Sequence, residues 1–425
     1  MPLDYAIVER VLPNGLRVIV SEDRRVPNVA VNLWVNVGSR HEAPGKTGFA
    51  HLFEHLMFQG SRNVAGGEHF AALMAHGARL NATTWFDRTN YFETVPTGAY
   101  ELALWMEADR HGYLLDAVTQ ENLDNQRDVV KEEKRQRYDN MPYGQAMTAL
   151  YGAVFPPGHP YHHPTIGSME DLDAATLEDV HGFYTAYYRP GNTVLSLVGD
   201  LSPEEGFAAA ERYFGPIEAA PVQQPAPTPP LAPLEHPVRV DLDQDVPAER
   251  LYLGFRLPPS DTTEFLAASC ALDALAGLAS SRLEQLLTRR TEWCNSVSSG
   301  ATGLIDGVSL GTIALEMADG VEPDRVEDLV CAQLEEFAAQ GPQEGELEAV
   351  IAQSERAWLS ALAALDERAD YLSQFATLYG DPTGVNTWLD RVQSITVADV
   401  AAAASSWLKP SARAVVAYPQ DGAAT

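Results

Sequence analysis

The stretch GFAHLFEHLMFQGS, residues 48–61, sets two imidazoles and a carboxylate, His51, Glu54 and His55, into an otherwise apolar run. Wound at about 100° per residue, Phe49, Leu52, Phe53 and Leu56 share one stripe, and His51, Glu54, His55 and Phe58 fall on the opposite side. The pattern predicts a helix over 47–59, with Thr47 capping its start and Gly60 ending it. Histidines at i and i+4 bring both rings to one side, one turn apart, within reach of a single Zn²⁺ at roughly 2.0–2.1 Å. A glutamate immediately before the second histidine is held beside such an ion without ligating it. There it can take a proton from a water that the metal has acidified. One Zn²⁺ per chain is therefore the expected cofactor, and the competing reading is two histidines and an acid on a solvated face.

The surrounding elements must hold this helix. Asn14-Gly15 supplies a turn before the alternating run LRVIVSEDRRVPNVAVNLWVNVGS, which reads as strands. Helices are expected around 67–76, 98–116 and 120–140. Two segments repeat one design: TLEDVHGFYTAYYRPGNTVLSLV from Thr176 and TVADVAAAASSWLKPSARAVVAY from Thr396. Each opens on Thr-x-x-Asp, a helix start signal, reaches a basic residue and a proline that stop the helix, and runs on into a strand. Between them PIEAAPVQQPAPTPPLAPLEHP, residues 216–237, is too rich in proline for a helix or a central strand and reads as a semi-rigid linker. The expected organisation is an N-terminal metal-binding domain over 1–215, this linker, and a homologous C-terminal domain over 238–425. The fold class is α+β, each domain a largely antiparallel β-sheet with helices packed on one face. In the second half RLYLGFRLP reads as a strand and SVSSGATGLIDGVSLGTIALEM as a hairpin.

Bulk properties exclude some functions. With 59 acidic against 29 basic residues the formal charge is -30, so nucleic acid and anionic membrane surfaces repel the chain. No apolar run approaches the roughly 18 residues that span a bilayer, and MPLDYAIVERVLPNG lacks the apolar centre of a signal peptide. Three cysteines, an odd number, do not suggest a disulfide framework. A cytoplasmic location is expected.

His51-Leu52-Phe53-Glu54-His55 matches the inverted zincin order. The chain resembles the pitrilysin and mitochondrial processing peptidase family of zinc metallopeptidases, especially bacterial members of about this length. The likeness runs through LPNGLRV, HLFEHLMFQGS, NATTWFDRTNYFETVP, DVVKEEKRQRYDNMPYG, HPYHHPTIGS and YYRPGNTVLSLVGDLS. It implies that family's two-domain fold and a zinc endopeptidase acting on short or unfolded peptides. This chain is then expected to be the catalytic subunit of a two-chain, clam-like assembly; a non-catalytic structural or assembly subunit of the same fold is the alternative, and a metal carrier or sensor is a third reading.

The family takes its third zinc ligand from a glutamate on a later helix, and NQRDVVKEEKRQRY offers Glu132 and Glu133. With Leu123, Val129 and Val130 taken as the buried side, Glu133 falls between the two valines in angle and Glu132 projects nearly opposite Leu123. The alignment also favours Glu133, which is taken as the ligand. Gln126, a heptad earlier, stands where relatives often carry a supporting glutamate; it either bonds a ligand or lies on a solvated face. By the same resemblance residues 78–95 hold the edge strand beside the zinc, where an extended peptide pairs through its main chain and Asn81 and Ala82 make contact. An ordinary interior strand is the alternative. Phe58 either lines a side-chain pocket or packs in the core. His159, His162 and His163 read as a rigid loop between prolines.

No histidine follows His236, so the second half cannot repeat the site. Relatives often carry there an arginine and, seven residues on, a tyrosine that bind the substrate carbonyl; here Thr288 and Asn295 occupy those places, and a one-residue slip onto the adjacent Arg289 and Arg290 would restore the arginine but not the tyrosine. The resemblance thus implies a homologous partner chain supplying those donors, a heterodimer, with a homodimer as the alternative.

Overall fold

The structure, a computed structural model, describes residues 3–223 and 227–419. The chain forms two compact units. One lies within Met1–Glu133, Thr165–Ala226 and Trp358–Trp388, the other within Lys134–Pro164, Pro227–Ala357 and Leu389–Thr425. The two similar halves read from the sequence therefore each lend a segment to the other unit. Residues 224–226 of the expected linker lie outside the described residues, and its described remainder forms neither helix nor strand.

The first unit is built on six strands, β1 (Val8–Val11), β2 (Arg17–Glu22), β3 (Asn28–Val35), β4 (Arg79–Thr84), β5 (Thr89–Pro96) and β6 (Thr193–Gly199). Their order is β1-β2-β6-β3-β5-β4, with β2 and β6 parallel and the other neighbours antiparallel. β3 and β6 are central and almost wholly buried, so their runs NVAVNLWV and TVLSLVG are largely apolar on both faces, with Asn32 and Ser196 as buried polar exceptions. β4 ends the sheet. The second unit holds β7 (Val238–Asp241), β8 (Arg250–Leu257), β9 (Cys294–Thr302), β10 (Ser309–Met317) and β11 (Ala414–Tyr418), ordered β7-β11-β8-β10-β9. β9 and β10 are the expected hairpin.

Four helices matter for the site: α1 (Phe49–Leu56), α2 (Glu68–Ala75), α3 (Tyr100–Tyr113) and α4 (Gln120–Lys134). They occupy the four places the periodicity gave. The repeated Thr-x-x-Asp motifs form reciprocal capping boxes: the Thr176 hydroxyl accepts from Asp179 N and the Thr396 hydroxyl from Asp399 N. Each helix then stops at its proline turn and feeds a strand, β6 or β11. In the first unit the helix Leu365–Leu378 covers a second face of the sheet, so helices lie on both sides there. Its Asp370 accepts from Asn32 Nδ2 (3.3 Å) and Trp34 Nε1 (2.8 Å), while Arg110 of α3 stacks on Tyr91 of β5 from the other face. In the second unit α5 (Ala146–Val154), drawn from the chain's first half, lies so close to β8 that a Cβ on Gly254 would sit 2.8 Å from Leu150 and Val154 side-chain carbons.

The apolar stripe of α1 is the core side: Leu52, Phe53 and Leu56 are fully buried and Phe49 nearly so. Phe53 stacks at 4.4 Å on Tyr188, next to β6. Each such side chain contributes about 1.5–3 kcal/mol relative to exposure, which fixes the helix's rotation and hence where its histidines point. The cap differs from the expected one. Thr47 does not cap α1, because its hydroxyl donates instead to Asp171 (2.5 Å). Gly48 is the cap residue, at φ 89°, and a Cβ there would lie 2.7 Å from the Ile166 carbonyl oxygen. The open amides are taken by Glu42, whose carboxylate accepts from Gly48 N (2.9 Å) and Ala50 N (2.8 Å). Replacing Glu42 by alanine removes that acceptor, so an unfolding free energy lower by about 1–2 kcal/mol is expected. A shifted urea midpoint at unchanged slope is the reading that checks it.

Candidate metal centre

α1 and α4 bring the predicted donors together. His51, His55 and Glu133 each offer a ligand atom, and the three atoms lie within 4.8 Å of one another; this is the one such group among the described residues. Glu133 Oε2 stands 3.3 Å from His55 Nε2 and 3.7 Å from His51 Nε2. The imidazole centroids are 4.8 Å apart with planes 75° to each other. A charge-assisted N–H···O bond closes to about 2.7–2.9 Å. Ligands of one tetrahedral ion with bonds of roughly 2.0–2.1 Å stand about 3.3–3.4 Å apart. The His55–Glu133 separation is that of two ligands of one ion, the other two are wider, and the nitrogen–oxygen donor set suits zinc. The residues fit the group.

The neighbours of these donors follow from helix phase. Glu133 is half-buried and Glu132 exposed, as the phase argument expected, although one of its markers is wrong: Val129 is exposed, and Leu123 and Val130 alone form the buried side. Gln126 is buried and bonds the His55 ring, so it does not lie on a solvated face. Glu54, facing the same way from α1, is buried and accepts a hydrogen bond from the Thr84 hydroxyl (2.5 Å). Sequence reasoning missed Thr84. Its signal was the alternation of β4, which points Ala82 and Thr84 toward α1 and Asn81 and Thr83 the other way.

Burial raises the Glu54 carboxyl above its ordinary value, against the Thr84 bond and the positive fields of His55 and Arg88. A divalent cation held by the neighbouring imidazoles would add a further pull downward. For His55 burial acts against the charged ring, but the Glu133 bond and charge, the Glu54 charge and Gln126 outweigh it, and its pKa rises above 6.5.

The proposed substrate strand is an edge. β4 pairs with β5 alone, Asn81 opposite Phe92 and Ala82 opposite Tyr91; Asn81 is exposed and Ala82 buried. Phe58 is half-buried beside Phe70 (4.7 Å between rings), with the Arg110 guanidinium 4.5 Å above it. The histidine loop is engaged locally: His159 stacks on Phe155 at 5.2 Å, and the His162 ring bonds the Phe155 carbonyl. Thr288 donates to Glu284 and Asn295 to the Met317 carbonyl.

With this geometry the comparisons are plain. Residues 17–156 match the family model described as insulinase, peptidase family M16, and residues 174–354 match the peptidase M16 inactive domain. The zinc protease PqqE of Helicobacter pylori is 28% identical over 413 residues, covering 94% of this chain and 89% of that protein. An uncharacterized zinc protease of Mycobacterium leprae, ML0855, is likewise 28% identical, over 96% of this chain and 91% of its own length. Among solved structures, a protease from Helicobacter pylori superposes with TM-score 0.91 at 24% identity, covering 98% of this chain and all of that one. The chain belongs to the M16 peptidase family. His51, Glu54, His55 and Glu133 all fall in the segment matched by the first model, outside the one named inactive.

Two outcomes follow. In the metal-free protein the His55 ring is expected to titrate above 6.5 by NMR. Its pairing with Glu133 then stabilises the fold fully just below pH 6.5, where the carboxylate is still ionised, and is lost as pH rises through the raised value. Substituting Gln126 with alanine is expected to weaken zinc binding about 10- to 100-fold in a chelator competition, with helix content unchanged.

Proposed function

We propose that this chain is a zinc-dependent endopeptidase of short or unfolded peptides, with His51, His55 and Glu133 holding one Zn²⁺ and Glu54 as general base. The observation that carries the reading is the convergence of the three donors to within 4.8 Å of one another, with a buried carboxylate beside them. A zinc ion bound there supplies Lewis-acid chemistry, polarising a carbonyl and acidifying water. Glu54 accepts the proton of the attacking water at its carboxylate and delivers it to the leaving amine. The Thr84 hydroxyl fixes that carboxylate through Oε2. Gln126 orients His55. An extended peptide joins the free edge of β4, where Asn81 and Ala82 present main-chain groups, and Phe58 borders a side-chain subsite. Only an unfolded or short chain can add as a strand.

Neither Thr288 nor Asn295 has the chemistry of the arginine and tyrosine found in relatives, which supports a homologous partner chain as their source, in a heterodimer or, failing that, a homodimer. A missing carbonyl-stabilising donor costs about 10²- to 10³-fold in rate. Full turnover by the isolated chain, unchanged on adding any partner, rejects the two-chain reading. The cysteines Cys270, Cys294 and Cys331 are free thiols, which supports a cytoplasmic location.

The direct test is Glu54→Gln. This variant is expected to keep its zinc, measured by elemental analysis, and to lose at least about 10²-fold in kcat on a quenched peptide. Equal turnover by both forms removes Glu54 from the chemistry. Zinc binding with no peptide cleavage by the wild-type chain, alone or with partners, favours the non-catalytic subunit instead.

A further inference from the structure

The sheet face opposite the metal carries a cavity of about 160 Å³ at the same edge. Asn32, Thr83 and Phe92 line it from the strands, and Asp366, Glu367 and Asp370 from the helix Leu365–Leu378. Its volume equals the share of about five liquid waters, room for an ammonium or guanidinium head and the end of its stem.

What the walls offer is acceptors. Asp370 is engaged, receiving Asn32 Nδ2 (3.3 Å), Trp34 Nε1 (2.8 Å) and Asn90 Nδ2 (2.7 Å). Asp366 and Glu367 are exposed and make neither an ion pair nor a hydrogen bond among the described residues. Asn32, which lines the cavity, is only 1% exposed, and its Oδ1 is a buried carbonyl that accepts from no donor among them. Such an atom costs stability unless something donates to it. The cation lining the cavity, Arg88, is already committed: its Nη1 donates to the Thr83 carbonyl (2.9 Å) and hydroxyl (2.5 Å). Phe92 adds an apolar surface for a methylene stem. Two unengaged carboxylates and an orphaned carbonyl call for a donor that is positive and narrow.

The strand geometry says where it would come from. Thr83 lies on β4 between Ala82 and Thr84, and the latter two face α1 and the metal. In a peptide added to β4, alternate side chains follow Ala82 and Thr84 toward the metal, and those between follow Thr83 toward the cavity. We infer that Asn32, Asp366 and Glu367 form a specificity subsite for a lysine or arginine side chain of the substrate, read with a period of two residues along the peptide. This rests on the strand-addition reading of the proposed function. It differs from steering by the net charge of -30, which favours a basic residue at every position alike.

The test uses the full-length Glu54→Gln chain with zinc and a set of fluorescent peptides, neutral except for one lysine moved along the sequence. Binding is read by anisotropy, so neither catalysis nor a partner is required. Tighter binding by roughly two- to fivefold is expected at every second position only. In D366N/E367Q the preference is expected to vanish, and in D366K/E367K to pass to glutamate at the same positions, with wild-type circular dichroism and zinc content showing both intact. Equal gain at all positions, an alternating pattern untouched by both variants, or no binding of any peptide overturns the inference. Failure of Glu54→Gln to lower cleavage would instead overturn the catalytic reading and leave the binding pattern readable.

Discussion

A helix can place two imidazoles one turn apart, but it cannot close a coordination shell by itself. The constraint on which this structure depends is that α4 must deliver a carboxylate to the place where α1 aims His51 and His55. Glu133 does so, 3.3 Å from one ring nitrogen and 3.7 Å from the other. That meeting requires α1 to be fixed in rotation, which Leu52, Phe53 and Leu56 achieve by burial. It also requires α1 to be fixed along its axis, which Glu42 achieves by taking its first amides. A carboxylate carries two lone-pair oxygens and a fixed charge, so its arrival also sets the electrostatics of the pair it joins: the His55 ring is favoured in its charged form when no metal competes.

The sheet turns this centre into a directional site. β4 is an edge, and its alternation divides whatever lies alongside into two sets of side chains. One set faces Thr84, Glu54 and the candidate metal centre; the other faces Thr83 and the helix Leu365–Leu378. Edges are normally protected against pairing. Here the outer residues Arg79 and Asn81 are polar and exposed, while Ala82 is small and buried, which leaves the main chain of β4 approachable by an extended chain.

Much of this was legible in the sequence, and for identifiable reasons. The two capping boxes at Thr176 and Thr396 are local, involving residues three apart, and they formed as written. Glu133 was separable from Glu132 as the carboxylate turned toward the α1 histidines because helix phase is rigid, even though Val129 proved exposed. What stayed hidden depends on distant partners. Thr47 has the right type and place for a cap, yet Asp171, more than a hundred residues on, captures its hydroxyl, and Glu42 does the capping instead. Nor does an apolar helix face say which sheet it will cover. Residues 134–164 and 358–388 each belong to the compact unit of the opposite half, and neither composition nor period marks the exchange. Asn32 was invisible as a polar wall because it sits in a run that reads as core strand.

X-ray absorption at the zinc edge of the metal-loaded chain tests the central claim most directly. Two imidazoles, a carboxylate oxygen and one further light atom, all at about 2.0–2.2 Å, are the expected shell. A sulfur distance near 2.3 Å, or scattering from a single imidazole, would contradict the account.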